Sequence, residues 1–144
     1  MIAVDSNILI YAHRRDSPFF DLAYAIIAAL AEGDASWAIP WPCMHEFVSV
    51  VTNPRIYKPA TSIERTFGQV DAWLASPMLV LLAETDRHLA ELRTLATTAR
   101  AAGPLIHDAR IAAICREHGV SELWSADRDF NRFPGLKVVN PLVR

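Results

Sequence analysis

Short runs of mainly apolar residues alternate along the chain with longer stretches in which apolar residues recur every three or four positions. The runs are Met1-Ile2-Ala3-Val4, Ser36-Trp37-Ala38-Ile39, Met78-Leu79-Val80-Leu81-Leu82, Glu122-Leu123-Trp124-Ser125 and Leu136-Lys137-Val138-Val139. Such runs mark strands covered on both faces, as in a parallel sheet. After the first run, Ser6 or Asn7 is placed to cap a short helix over Ile8–Ala12, with Asp5 as the alternative cap. Ser17-Pro18 reads as an N-cap with proline at the first helical position. Phe19, Ala23, Ile26, Ile27 and Leu30 then repeat at helical spacing as far as Glu32-Gly33. A third helix runs from about Trp41 to Thr52 and stops at Asn53-Pro54. Thr61 or Ser62 caps a fourth, with Ile63, Phe67, Val70, Trp73 and Leu74 along one side. Thr85 is the expected cap of a fifth, striped by Leu89, Leu92, Ala96 and Ala99 and ended by Gly103-Pro104. A sixth covers about Leu105 to His118, closed by Gly119. The alternation predicts one three-layer α/β/α domain over residues 1–144, with a largely parallel sheet of roughly five strands.

Composition agrees with this picture. A chain of 144 residues, 52% of them hydrophobic, suffices for a single core. The longest near-continuous apolar stretch, Ala23 to Ala31, is well short of the roughly 18 residues of a membrane span. The N-terminus has no basic region of the signal-peptide kind, so a cytoplasmic protein without membrane contact is expected. Cys43 and Cys115 fall in separate helices and read as reduced core residues. The net charge of -2 argues weakly against a general grip on nucleic acid. If four acids are committed to a metal, however, 14 basic residues face 12 acids, so net charge decides nothing and position must be examined.

Four acids occupy unusual positions. Asp5 ends the first strand, where open α/β sheets place their ligands. Asp127 follows Leu123-Trp124-Ser125 in the same way, so the two carboxylates meet if those strands are neighbours. Asp108 shares a helical face with Ile111, Ala112 and Cys115, and Glu46 shares one with Pro42, Cys43, Ser49 and Val50, so both are expected to point inward. Each has an ordinary reading as well: Asp5 as a helix cap, Asp108 as a first-turn acid favoured by the helix dipole. Asp129 is an auxiliary acid or a turn residue. Four converging carboxylates repel one another unless a cation neutralises them. A hard, all-oxygen donor set without histidine or thiolate favours Mg²⁺ or Mn²⁺ over zinc, and suits metal-assisted phosphodiester hydrolysis.

The order of these pieces resembles the PIN-domain nucleases, and within them the toxins of VapBC-type toxin–antitoxin pairs. The likeness spans nearly the whole chain. It rests on Val4-Asp5-Ser6-Asn7, Glu46, Asp108-Ala109-Arg110-Ile111-Ala112-Ala113-Ile114 closing at His118-Gly119, and Ser125-Ala126-Asp127-Arg128-Asp129-Phe130. The resemblance implies that Asp5, Glu46, Asp108 and Asp127 form the catalytic, metal-binding set, supported by Asn7, Ser125 and Asp129. Ser125 stands where a threonine is frequent, which keeps the hydroxyl. It further implies a Mg²⁺-dependent endoribonuclease acting on RNA, commonly a homodimer or a toxin–antitoxin hetero-oligomer, silenced by a cognate antitoxin.

Other chemistry finds less support. His45-Glu46 opens like a zinc-protease motif, but Ser49 occupies the second histidine position. His13, His88 and His118 are expected on the surface, and His107 beside the acids. A phosphatase or receiver-like domain using Asp5 would need an acid or threonine at position 7, which is Asn7, or a well-placed lysine, and Lys58 and Lys137 are the only lysines. A catalytically inactive PIN-like scaffold should have lost an acid, and none is missing. Arg14, Arg15, Arg55, Lys58, Arg128 and Arg132 fall at element ends near the expected active rim and are candidates for RNA phosphates, with Trp41 and Tyr57 as candidates for base stacking. Phe19, Phe20, Tyr24, Phe67 and Trp73 cannot all face inward, which predicts an exposed apolar groove between the second and fourth helices for an antitoxin segment or a second copy.

Overall fold

A computed structural model describes residues 1–143. In chain order the elements are β1 (Ile2–Val4), α1 (Ser6–His13), α2 (Phe20–Glu32), β2 (Trp37–Pro40), α3 (Trp41–Val51), α4 (Ile63–Leu74), β3 (Leu79–Leu82), α5 (His88–Ala99), α6 (Leu105–Glu117), β4 (Glu122–Trp124), a 3₁₀ turn (Arg128–Arg132) and β5 (Val138–Val139). The five strands form one parallel sheet in the order β3-β2-β1-β4-β5. From β1 the chain builds outward through β2 to β3, then returns to the other side of β1 for β4 and β5. The order therefore reverses between β1 and β4, and the crevice at such a reversal is where open α/β sheets bind ligands. Asp5 and Ser125 are the first residues after those two strands.

The central strands are apolar because both faces are covered. Ala3, Val4, Trp37, Ala38, Ile39 and Leu123 are fully buried. Ala109, Ala112 and Ala113, also fully buried, allow α6 to pack closely on the core. Cys43 and Cys115 are buried free thiols. Among the described residues no helix is long and apolar enough to cross a membrane.

Several local expectations are corrected. The run Met78–Leu82 forms an edge strand rather than a buried one, and Val80 is 42% exposed, because β3 lacks a neighbour on one side. Asp5, rather than Ser6 or Asn7, caps α1 by accepting from the Ser6 amide. Pro18 precedes α2 instead of opening it; the Ser17 hydroxyl accepts from the Phe19 amide and the helix starts at Phe20. Of the two caps expected for α4, by contrast, Ser62 does serve, accepting from the Arg65 amide. Thr85 does not cap α5, which begins at His88, because its amide and hydroxyl both donate to the buried carboxylate of Glu117. The stripe of α5 is also rotated: Leu95 is fully buried and Leu89 is 64% exposed. His13 is half-buried rather than superficial, with its two ring nitrogens against Gln69 and Thr61 and its edge on Phe47. His88 is likewise drawn in, onto Glu117 at 2.7 Å. Trp73 is core, packed on Phe47, while Tyr24 and Phe67 are exposed.

Candidate active site

Asp5 is placed by the sheet itself, since its amide donates to the Trp124 carbonyl at 2.9 Å and so extends the β1–β4 pairing by one residue. Its carboxylate is buried and fully engaged. Oδ1 accepts from the Ser6 amide at 2.7 Å and the Cys43 thiol at 3.3 Å; Oδ2 accepts from the Ser125 hydroxyl at 2.6 Å and the Asn7 amide at 3.3 Å. Asn7 also donates to the Ser125 Oγ at 3.2 Å and accepts from the Ala126 amide at 3.3 Å, and the Asp127 amide donates to the Ser125 Oγ at 3.0 Å. Asp5, Asn7 and Ser125 thus fasten the start of α1 to the exit of β4, which sets the position of Asp127.

The nearest grouping of carboxylates lies just outside this lock. One oxygen each from Asp108, Asp127 and Asp129 lie within 4.8 Å of one another. Asp127 accepts from the Asp129 amide at 2.9 Å, a tight turn that brings the second acid round beside the first. Asp108 is half-buried on the first turn of α6. Glu46 is accessible on α3, not inward as its helical face suggested, because the face it shares with Pro42 and Ser49 borders the open rim rather than the core.

The fields of these groups converge. Asp108 is pushed up to about 6, first by desolvation and then by the charges of Asp127, Asp5, Asp129 and Glu46. Glu46 is raised by desolvation and by Asp5 and Asp127, against a hydrogen bond from Ser6 and the nearby His107. Burial raises Asp5, against the hydrogen bonds from Ser125, Ser6 and Cys43. The charges of Asp127, Asp5, Asp129 and Glu46 thus all bear on Asp108. A hard divalent cation fits this set: every candidate donor is a carboxylate oxygen, and the repulsion that raises Asp108 is what a bound cation would relieve.

Of the predicted cations, Arg128 lies beside Asp127, exposed at the start of the 3₁₀ turn. The others are carried away from the rim or engaged by backbone. Helix α1 starts at Asp5 and leads away, so eight residues put Arg14 and Arg15 about 12 Å along its axis. Arg14 is engaged by Asp16 at 2.5 Å, by the Pro59 carbonyl and Thr61 Oγ1, and by the Tyr57 ring at 4.3 Å, which also removes Tyr57 as a free stacking surface. Arg55 and Lys58 lie in the loop past the far end of α3, and Arg132 donates to the Ala99 carbonyl. Trp41 is 40% exposed on the first turn of α3, edge-on to His45.

The family model for the PIN domain matches residues 2–136. The chain belongs to the PIN-domain family. It is 37% identical over 142 residues to VapC ribonuclease Mb2897 of Mycobacterium bovis, covering 99% of this chain and 96% of that protein. Its fold is similar to that of a chain in the crystal structure of VapBC2 from Rickettsia felis bound to a DNA fragment from their promoter, at TM-score 0.70 and 20% identity, covering 96% of this chain and 98% of that one. It is also similar to that of VapC20 of Mycobacterium tuberculosis, described as a Sarcin-Ricin loop cleaving toxin, at TM-score 0.67 and 14% identity over 95% and 99% of the two chains.

In this PIN domain two contributors to the site carried no signal in the sequence. The Cys43 thiol reads as a small core residue, yet it donates to Asp5. The Ser6 hydroxyl reads as a cap, yet it donates to Asp5 Oδ1 at 3.4 Å. Asp129 did carry one, in its spacing of two residues from Asp127, which suits an acid turned back by a side-chain-capped bend.

Proposed function

We propose that this PIN domain, acting as a single unit in the cytoplasm, is a Mg²⁺- or Mn²⁺-dependent endoribonuclease toxin that hydrolyses RNA phosphodiester bonds and is held inactive by a cognate antitoxin. The observation that carries this reading is the convergence of Asp5, Glu46, Asp108 and Asp127, with Asp129, at the reversal point of the sheet. The near-full-length similarity to a protein named VapC ribonuclease supports RNA as the substrate class. Asp108, Asp127 and Asp129 hold the cation, with Glu46 completing the set from α3. Asp5 is its buried member: it orients Ser125, and through it Asp127, and contributes negative charge from behind. When bound, the divalent ion supplies Lewis-acid stabilisation of phosphate charge and a more acidic water. Arg128 meets the phosphate adjoining the site, and Asn7 and Ser125 keep the acids in register.

The antitoxin reading draws support from the VapBC architecture of the structural relatives and from a cleft of about 190 Å³ between α2 and α4, lined by Tyr24, Ile27, Ala28, Gln69, Ala72 and Trp73. A homodimer or a toxin–antitoxin hetero-oligomer is the expected assembly. To test the chemistry, cleavage of cellular RNA is followed with Mg²⁺, with excess EDTA, and for Asp5→Asn and Asp108→Asn checked for folding by circular dichroism. Loss of at least about a hundredfold in both variants and in EDTA is expected, a size typical of disabling a metal site. Wild-type rates in either folded variant, or in EDTA, sink the assignment.

A further inference from the structure

At the end of α1 farthest from the acids, the chain forms an open polar cavity of about 270 Å³ between that helix, the segment 59–61 and the start of α4, with His13, Arg14, Arg15, Asp16 and Arg65 in its walls. Its charges do not balance. Asp16, the one acid among its lining residues, is gripped by Arg14 through both oxygens, at 2.9 and 2.5 Å. Arg14 is in turn saturated by the Pro59 carbonyl, Thr61 and the face of Tyr57. That ion pair neutralises itself and makes a rigid wall. Arg15 and Arg65 have no ion-pair partner among the described residues, and both are exposed. His13 adds no acid and no free acceptor: Gln69 and Thr61 take its two ring nitrogens, and burial together with Arg14 and Arg65 opposes its protonation. Two unopposed guanidinium groups therefore border a concavity whose own carboxylate is already occupied.

A guanidinium fork matches a phosphate, and two such groups on one concave wall focus their attraction on it. We propose that this cavity binds a backbone phosphate of the RNA strand away from the bond being cut, through Arg15 and Arg65 on a wall fixed by Arg14. The inference rests on the ribonuclease reading above. A single strand threading the acid site carries a phosphate at every nucleotide, and α1 joins the two places directly, with Asp5 at one end and the cavity at the other. The site thus supplies affinity for long RNA, separately from the acids that perform the chemistry.

The test uses the full chain in EDTA, with fluorescent single-stranded RNA long enough to reach both places, titrated at several salt concentrations for wild type, Arg15→Gln, Arg65→Gln and the double variant, each checked for an unchanged melting temperature. The double variant should bind about tenfold more weakly, with a salt dependence of log K flattened by about 0.7 for each phosphate no longer neutralised. In Mg²⁺ the loss should fall on KM rather than kcat. Unchanged affinity and salt slope for the double variant overturn the proposal. It is equally overturned if inorganic phosphate shifts the His13 ring resonances while the variants bind RNA normally, since the cavity then serves a free anion. Wild-type protein that cleaves no RNA in Mg²⁺ rejects the ribonuclease reading, and with it this inference, whereas cleaving wild type with unaffected variants rejects the cavity alone.

Discussion

At the scale of single residues, the site works by dividing labour among acids of different burial. Asp5 has both oxygens occupied by donors and cannot move without unseating Ser125 and the start of α1. Asp108 is the strained member, ordinarily titrating near 3.8 and pushed up to about 6 by desolvation and its neighbours. The metal-free fold therefore takes up a proton between those values that the unfolded chain does not. This contribution to stability is complete below about 3.8 and is lost as the pH rises through about 6. Metal-free protein should melt at a higher temperature at about pH 5 than at about pH 7. Asp108→Asn should shrink that difference and raise the melting temperature at the higher pH, while Mg²⁺ or Mn²⁺ should stabilise wild type by mass action. Melting curves from scanning calorimetry, indifferent to pH, metal and Asp108→Asn alike, would show that the acids share no site.

At the scale of elements, α5 separates pattern from packing. Leu89 and Leu95 lie on different faces of the helix, and the face that meets the core carries Leu92, Leu95 and Ala99. The reason lies outside α5. Glu117, buried at the end of α6, draws in the amide and hydroxyl of Thr85 and the ring of His88, which fixes where α5 starts and how it is rotated. Leu95→Ala should therefore cost about 2–5 kcal/mol as a cavity-forming change. Leu89→Ala should stay within about 0.5 kcal/mol, as an exposed one. Urea titration of the two variants distinguishes them, and equal costs would mean that the rotation of α5 is wrong.

At the scale of the whole molecule, the cleft between α2 and α4 has none of the site's acids in its walls, and Tyr24 is the exposed aromatic that lines it, whereas Phe67 turns instead to Trp41, Met44, His45 and Val48 of α3. Trp73 forms the buried floor at 5% exposure, so a charge placed there would test folding rather than binding. Tyr24→Glu and Ala72→Glu change the cleft's accessible walls instead. Co-expressed with the small reading frame beside its gene, the wild-type chain should retain that partner on purification and both variants should lose it. Folded variants that keep the partner would move the docking surface elsewhere.

What the sequence determined by itself was periodic or local. Strand runs, helix stripes and the Asp5, Asp108 and Asp127 boundary positions follow from spacing within a few residues, and such spacing needs no partner to be read. The all-oxygen character of the donor set follows equally from residue type. Tertiary structure decided whatever depends on residues distant in the chain. Only the β1–β4 pairing brings Asp5 within 2.6 Å of Ser125, and only the direction of α1 removes Arg14 and Arg15 from the rim. The thiol of Cys43 becomes a donor to Asp5 because α3 crosses behind it, and Thr85 loses its cap to a carboxylate 32 residues away. Hydrophobic periodicity records how much surface an element must bury, but not against which neighbour, and a site assembled from several elements depends on the neighbour.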